Sequence, residues 1–279
     1  MTNRTYDRIY ELDWRSLGYP ITDQLAEPRL RSRIWEIGKW LDQGPDGACV
    51  GFAFGHELSG PPVVHDHVDY GYALGIYHDA QRIDPWPGGA YPGADPFYEG
   101  TSLLAGAKVC RDRGYYHSFY WALDLEQLVL GVVNAGPSVI GVGWYADMEN
   151  PDRDGFITPT GRHRGGHAVA LSGVVLKVKG EDRPLTRVGQ SWWQRLLDFI
   201  RRLFTGGSAP TPYVPIPPPA PPEPEPVWAD IDLDESYFVV WNSWGRSWGD
   251  NGTAKLRLSD MEQLLALQGE ACFPIFRGG

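Results

Sequence analysis

Cys49 follows Gln43-Gly44-Pro45-Asp46-Gly47, a loop by composition, and opens an apolar segment with Val50, Phe52, Ala53, Phe54 and Leu58. That pattern predicts a helix over 49–58 despite Gly51 and Gly55, with Cys49 near its N-terminus. A lone cysteine there is most often a small buried hydrophobe. Its company changes the reading. Gln43 stands six residues before it, Gly165-Gly166-His167-Ala168-Val169 opens a strand-like run, and Trp241-Asn242-Ser243-Trp244-Gly245 follows another, with Trp248-Gly249 close behind. A thiol, an imidazole and two carboxamides are groups that serve nucleophilic thiol catalysis.

Such groups act only if elements distant in sequence hold them together. Upstream, 28–41 predicts a short helix with Leu30, Ile34, Ile37 and Trp40 near one face. A second helix is predicted over 66–83, followed by a Pro/Gly/aromatic loop over 84–99. Thr101 is placed to cap a third helix striped by Leu103, Leu104, Ala107 and Cys110. A fourth runs from Asp124 to about Asn134. The pattern then turns to β-branched runs over 137–145, 168–178, 237–241 and 253–258. Helices first and strands later predict an α+β chain, a helical half packed on an antiparallel sheet or barrel. The expected division is an approach segment over 1–42, a helical lobe over 43–134 and a β lobe over 135–279.

One stretch stands outside this scheme. Residues 179–235 read as an insertion between two strands. They contain an amphipathic helix over 191–204, with Trp192, Trp193, Leu196, Leu197, Ile200, Leu203 and Phe204 on one face. A proline-dominated spacer over 208–226 follows, with polyproline character. Docking of that helix on protein is the favoured reading, ahead of a membrane surface.

The Gln before a Cys-containing helix, the Gly-His strand start, the Asn-Ser-Trp-Gly run and the Trp-Gly after it resemble the papain-like cysteine peptidases (C1 family). The resemblance covers roughly 11–178 and 236–276. Asp13-Trp14-Arg15 is similar to the start of the family's domain, and 248–256 to its terminal strand region. It implies two lobes with the active site between them, and hydrolysis of peptide bonds through a Cys thioester. Carried over by residue, it makes Cys49 the nucleophile and His167 its base and later its acid. Asn242 fixes the imidazole, the Gln43 amide and the Cys49 N–H donate to the oxyanion, and Trp244 covers the Asn242–His167 hydrogen bond. The chain departs from the family at Asp46, where secreted members carry a half-cystine, and at Val50, where an aromatic is usual. Gly88-Gly89 lies in the region of the groove glycines but in a different setting. The stretch before Asp13 predicts no long helical propeptide, as in a bacterial or phage-type member.

Composition narrows the alternatives. The net charge of −10 over 279 residues argues against a nucleic-acid partner, and 42% hydrophobic with 22% charged residues is a globular mixture. Three cysteines, no apolar leader and no transmembrane run predict a cytoplasmic protein without a disulfide framework. His65-Asp66-His67-Val68-Asp69 reads as a solvated helix start rather than a metal site, because i and i+2 residues diverge on a helix. No metal and no cofactor are expected, and the expected partner is a protein or peptide substrate. Two other readings are a catalytically idle papain-fold binding module and a thioester acyl transferase.

Overall fold

The structure is a computed structural model and describes residues 6–11, 13–180 and 226–276. Helix α1 (Cys49–Ser59) is buried along its whole length. It is apolar on nearly every side, which suits a helix enclosed by the rest of the fold. Helix α2 (Tyr70–Ile83) starts where the Asp69 carboxylate accepts from the Tyr72 N–H at 2.8 Å. Helix α3 (Leu103–Asp112) starts where the Ser102 hydroxyl accepts from the Ala105 N–H at 3.0 Å. Phe52, Phe54, Leu58, Ile76, Tyr77, Leu103 and Leu104 close this helical core. Full burial of each large apolar side chain stabilises by roughly 1.5–3 kcal/mol.

Seven strands form the second lobe: β1 (Arg33–Ile34), β2 (Ser118–Ala122), β3 (Ser138–Tyr145), β4 (His163–Val175), β5 (Tyr237–Trp241), β6 (Thr253–Arg257) and β7 (Glu270–Ile275). Their order is β2–β7–β3–β4–β5–β6, with β1 beside β4, and all pairings are antiparallel. Helices α4 (Leu125–Asn134) and α5 (Leu258–Ala266) contribute Leu128, Val129, Val132, Leu258, Met261 and Leu264 to the core of this lobe. The lobes meet where α1 packs against β3 and β4. The α+β architecture expected from the order of helices and strands is the one observed.

Several local expectations are corrected. Residues 28–41 form no helix. Beyond Leu171, β4 has left β3, and the open side takes β1 through Arg33 opposite Val174 and Ile34 opposite Gly173. Trp35 is tied to the β lobe by N–H to Ser172 O at 2.8 Å and indole N–H to Val132 O at 2.7 Å. Ile34, placed on the apolar face of the supposed helix, is 62% exposed. Helix α2 begins at Tyr70 rather than at 66, since Asp69 caps better than it propagates. His65 and His67 thus precede the helix and pack edge-on against Tyr115 and Tyr72. No group of described residues could hold a metal ion. Ser102, not Thr101, caps α3, because the Thr101 hydroxyl is committed to Asp84 at 2.7 Å. The strand within 248–256 is not the last: α5 and β7 follow it, and β7 inserts between β2 and β3.

The root of the insertion is a short antiparallel stem in which Val178 bridges Ile231, and the Lys179 N–H reaches Asp230 O at 2.9 Å. The two strands it joins, β4 and β5, are direct neighbours. The expected helix over 191–204 and all but the last residue of the proline-rich 208–226 lie outside the described residues. Among the described residues no helix is long and apolar enough to cross a membrane.

Candidate active site

Cys49 is the first residue of α1, where the unsatisfied N–H groups of a helix favour negative charge. Its sulfur receives the backbone N–H of Ala168, the residue directly after His167 on β4. The packing of α1 against β4 thus brings the nucleophile candidate beside the strand that carries the imidazole.

Asn242 follows the end of β5. Its Oδ1 lies 2.9 Å from His167 Nε2 and also accepts the Ser243 N–H at 2.8 Å. The Ser243 contact identifies that atom as the carbonyl oxygen, so His167 Nε2 carries the proton, and Nδ1 of the neutral ring is the basic nitrogen. Trp244 stacks on the imidazole with ring centroids 4.7 Å apart, and Trp144 meets it edge-on at 4.8 Å. Trp248 meets Trp244 edge-on at 5.8 Å, and its indole N–H is fixed on Glu149 O.

Gln43 links this cluster to the loop before α1. Its N–H donates to Ser243 O at 2.9 Å, its Oε1 accepts from the Ser243 hydroxyl at 2.5 Å, and its Nε2 donates to Asp46 O at 2.8 Å. One hydrogen of the side-chain amide remains beyond that count. Asp46 accepts a hydrogen bond from the Tyr70 hydroxyl, a polar contact that ties this loop to α2. Cys49, Cys110 and Cys272 are all buried free thiols.

The structure therefore assembles the predicted residues Gln43, Cys49, His167, Asn242 and Trp244 at the seam of the lobes. What the sequence did not signal is the cover. Cys49 and His167 are 0% exposed, and Gln43 and Asn242 are 1% exposed. Residues 6–9 run over them. The Arg8 N–H donates to Gly166 O of the β lobe, and the Ile9 N–H donates to Thr101 O of the helical lobe, both at 2.9 Å. The Tyr6 ring lies edge-on to Trp244 at 5.8 Å and to His167 at 6.2 Å, with its hydroxyl on Glu149 at 2.5 Å. Asp7 passes over Cys49, its backbone N–H on the sulfur. Gly100, at φ +96°, makes room for this segment, since a Cβ there would stand 2.0 Å from Asp7 O. Gly88 and Gly89, the pair considered for the groove, instead pack against Pro96 and Tyr91 of their own loop and Gln81 of α2.

Burial under this cover pushes the Cys49 thiol up to about 11. The N–H groups of Ala168, Asp7 and Val50 work against that rise, and the Asp7 charge adds to it.

No protein-family model matches the sequence, and no curated protein matches it. Among solved structures, the chain is similar to xylellain, a cysteine protease from Xylella fastidiosa, at 15% identity and a TM-score of 0.57, covering 99% of this chain and 98% of that one. The fold is papain-like. Procathepsin L 3 of Tenebrio molitor larval midgut (13% identity, TM-score 0.46, 98% and 76% covered) and recombinant stem bromelain precursor (12%, 0.43, 99% and 78%) match more loosely. At these identities the likeness concerns the fold alone, two lobes with α1 at their seam, and the chemistry must be argued from this chain's own residues.

Proposed function

We propose that the protein is a cysteine peptidase that hydrolyses peptide bonds of protein or peptide substrates. Cys49 attacks the scissile carbonyl after passing its proton to His167 Nδ1, and the tetrahedral oxyanion takes hydrogen bonds from the free Gln43 amide hydrogen and the Cys49 N–H. His167 returns the proton to the leaving amine, leaving a thioester that a water molecule, deprotonated by His167, cleaves to restore the thiol. Asn242 holds the imidazole in the required tautomer, and Trp244 shields their hydrogen bond. The observation that carries this reading is the 2.9 Å His167 Nε2–Asn242 Oδ1 contact under a stacked indole, beside a cysteine at a helix N-terminus. The three free thiols fit a reducing compartment such as the cytoplasm of a bacterial or phage-infected cell.

Labelling with an epoxide-bearing peptide probe, followed by mapping of the modified residue, tests it. The expected adduct is on Cys49 and is lost in Cys49→Ala; an adduct confined to Cys110 or Cys272 overturns the assignment. The complete cover over Cys49 favours a second reading, an idle papain-fold binding module. Its expected result is no adduct on Cys49 even after removal of residues 1–9. Transfer of the thioester acyl group to an added amine in preference to water would identify an acyl transferase instead.

A further inference from the structure

A cavity of about 460 Å³ lies away from the candidate active site, bounded by α3, by β2 and by the single turn of 3-10 helix over Trp14–Gly18. Strands β7 and β3 stand between β2 and the strand that carries His167, three spacings or roughly 14 Å in all. Ser118, Phe119, Tyr120 and Trp121 all line the cavity. Successive side chains of a strand point to opposite faces, so a space bordered by four in a row lies against the strand's edge. Backbone groups explain why that edge is open. The Trp121 N–H points outward, away from β7, and donates to Tyr19 O at 2.9 Å. Two residues back along the strand, the Phe119 N–H faces the same way and has no acceptor among the described residues. Its register partner on β7 is Pro274, which has no N–H to offer in return. Tyr19 and Pro20 thus cover the edge at Trp121 and leave it uncovered at Phe119.

Arg15, Lys108 and Arg111 come into the same space. The one acid among the lining residues is Asp13, and it is already engaged: Arg15 donates Nε to Oδ1 at 2.8 Å and Nη2 to Oδ2 at 2.6 Å. Those bonds hold the Asp13 carboxyl down at about 2, and the Lys108 charge adds to the pull. Arg111 meets Asp112 outside the cavity and has its guanidinium 5.8 Å from the centre of the Phe119 ring. Lys108 makes no side-chain hydrogen bond or ion pair among the described residues. On a chain of net charge −10, three cations around one neutralised carboxylate are a local placement and not a reflection of composition. The wall is aromatic: Tyr19, 54% exposed, meets Tyr120 edge-on at 5.9 Å, and Phe119 meets Trp121 edge-on at 6.2 Å. Uncommitted positive charge, a backbone donor and aromatic surface in one concavity match an anion joined to a flat apolar body, and the volume is that of a small-molecule site.

We infer that this cavity is a binding site for a small anionic ligand, a phosphate or carboxylate carried on an aromatic ring. Lys108, Arg111 and the Phe119 N–H hold the anion, and the ring lies against Tyr19 and Tyr120. The site stands apart from the peptidase reading, and neither depends on the other.

The test is calorimetric titration of the full chain with phenyl phosphate and benzoate, and with inorganic phosphate and phenol as the separate halves. One of the two ring anions is expected to bind at least about ten-fold more tightly than either half and to weaken as salt is raised; which of them does so tells phosphate from carboxylate. Lys108 is half-buried and Arg111 exposed, so neither is needed for the core. Lys108→Ala with Arg111→Ala is expected to cost at least about ten-fold in Kd, the size of one charge-assisted hydrogen bond, while Lys108→Arg costs little. In amide NMR spectra the Phe119 N–H is expected to shift in step with saturation. Unchanged binding by the double variant overturns the site, as does a Phe119 amide that does not move. Inorganic phosphate bound as tightly as phenyl phosphate overturns the ring-binding wall, and no binding of any probe at millimolar concentration overturns the whole proposal. Tighter binding of an acidic hexapeptide than of either ring anion makes the edge of β2 a peptide-docking surface and overturns the small-ligand assignment. Titrating the Cys49→Ala chain as well is expected to give the same values, because the cavity contains no residue of the candidate active site.

Discussion

The indole of Trp244 lies over the imidazole of His167 with planes 27° apart, while Trp144 meets the same ring at 79°. The imidazole is thereby clamped on a face and an edge, and water is kept from its hydrogen bond to Asn242. Trp244→Ala is expected to lower kcat about ten-fold, with Trp244→Phe restoring most of the loss. In the proposed mechanism His167→Ala removes the proton carrier and is expected to cost about 10³-fold or more, and Asn242→Ala about 10–10²-fold. Steady-state rates across pH check the order; a greater loss from Asn242→Ala than from His167→Ala contradicts the roles.

Gln43 ties the α1 loop to Ser243, and in the proposed mechanism its free amide hydrogen is also the oxyanion donor. Gln43→Glu keeps an acceptor for the Ser243 hydroxyl but replaces the donor with negative charge. It is expected to lower kcat about 10²–10³-fold with little change in KM, and to lower the melting temperature as well, because the buried carboxylate faces the Asp46 carbonyl that the amide had served. A change in KM alone would place Gln43 in substrate binding rather than in the transition state.

Glu57 is fully buried on α1 and accepts the Tyr116 hydroxyl at 2.6 Å. Burial raises its carboxyl from 4.5 to about 8. Between those values the folded protein holds a proton that the unfolded chain has lost, so stability falls as pH rises, at about 1.4 kcal/mol per pH unit for one proton. The contribution is complete below pH 4.5 and gone above about 8. Glu57→Gln, which keeps an acceptor for Tyr116, is expected to flatten that slope in urea melts taken from pH 5 to 8. An unchanged slope would show that Glu57 is ionised in the fold.

Val178 bridges Ile231 at the stem, and Ile231 is itself buried. Replacing residues 181–225 by a short Gly/Ser linker is expected to leave the melting temperature within a few degrees and Cys49 labelling intact. The cut falls inside the 179–235 read from composition, because residues 226–235 contribute Ile231 and Leu233 to the core. Failure of the deletion variant to fold would make the segment part of the core.

Much of the site was readable from sequence because its chemistry sits in short local patterns: Gln43 to Cys49, Gly166-His167 and Asn242 to Gly245. Helices α1 and α4 and strands β3 and β5 were legible for a similar reason, since one period runs through each. The segment 28–41 misled because its apolar spacing fits a helical turn, whereas pairing with β4, far along the chain, decides its conformation. Strand β7 was missed because Glu270 and Pro274 break the alternation that marks a strand; one faces the seam and the other pairs near the end of the ladder. Residues 6–8 read only as part of the charged and mixed approach segment over 1–42. Only the fold shows that Arg8 and Glu270, 262 positions apart, are partners.

A groove filled by the chain's own residues changes how affinities read. The occupant is tethered, so it competes at an effective concentration fixed by the tether and not by the protein concentration. Every added ligand then meets only the fraction of molecules whose groove is open, and an open fraction of about 1% weakens each measured affinity about 100-fold. That factor is common to all ligands that must displace residues 6–9. Ratios between peptides survive it while absolute values do not, and two preparations that differ only in how firmly Arg8 is seated would rank the same peptides in the same order at very different strengths.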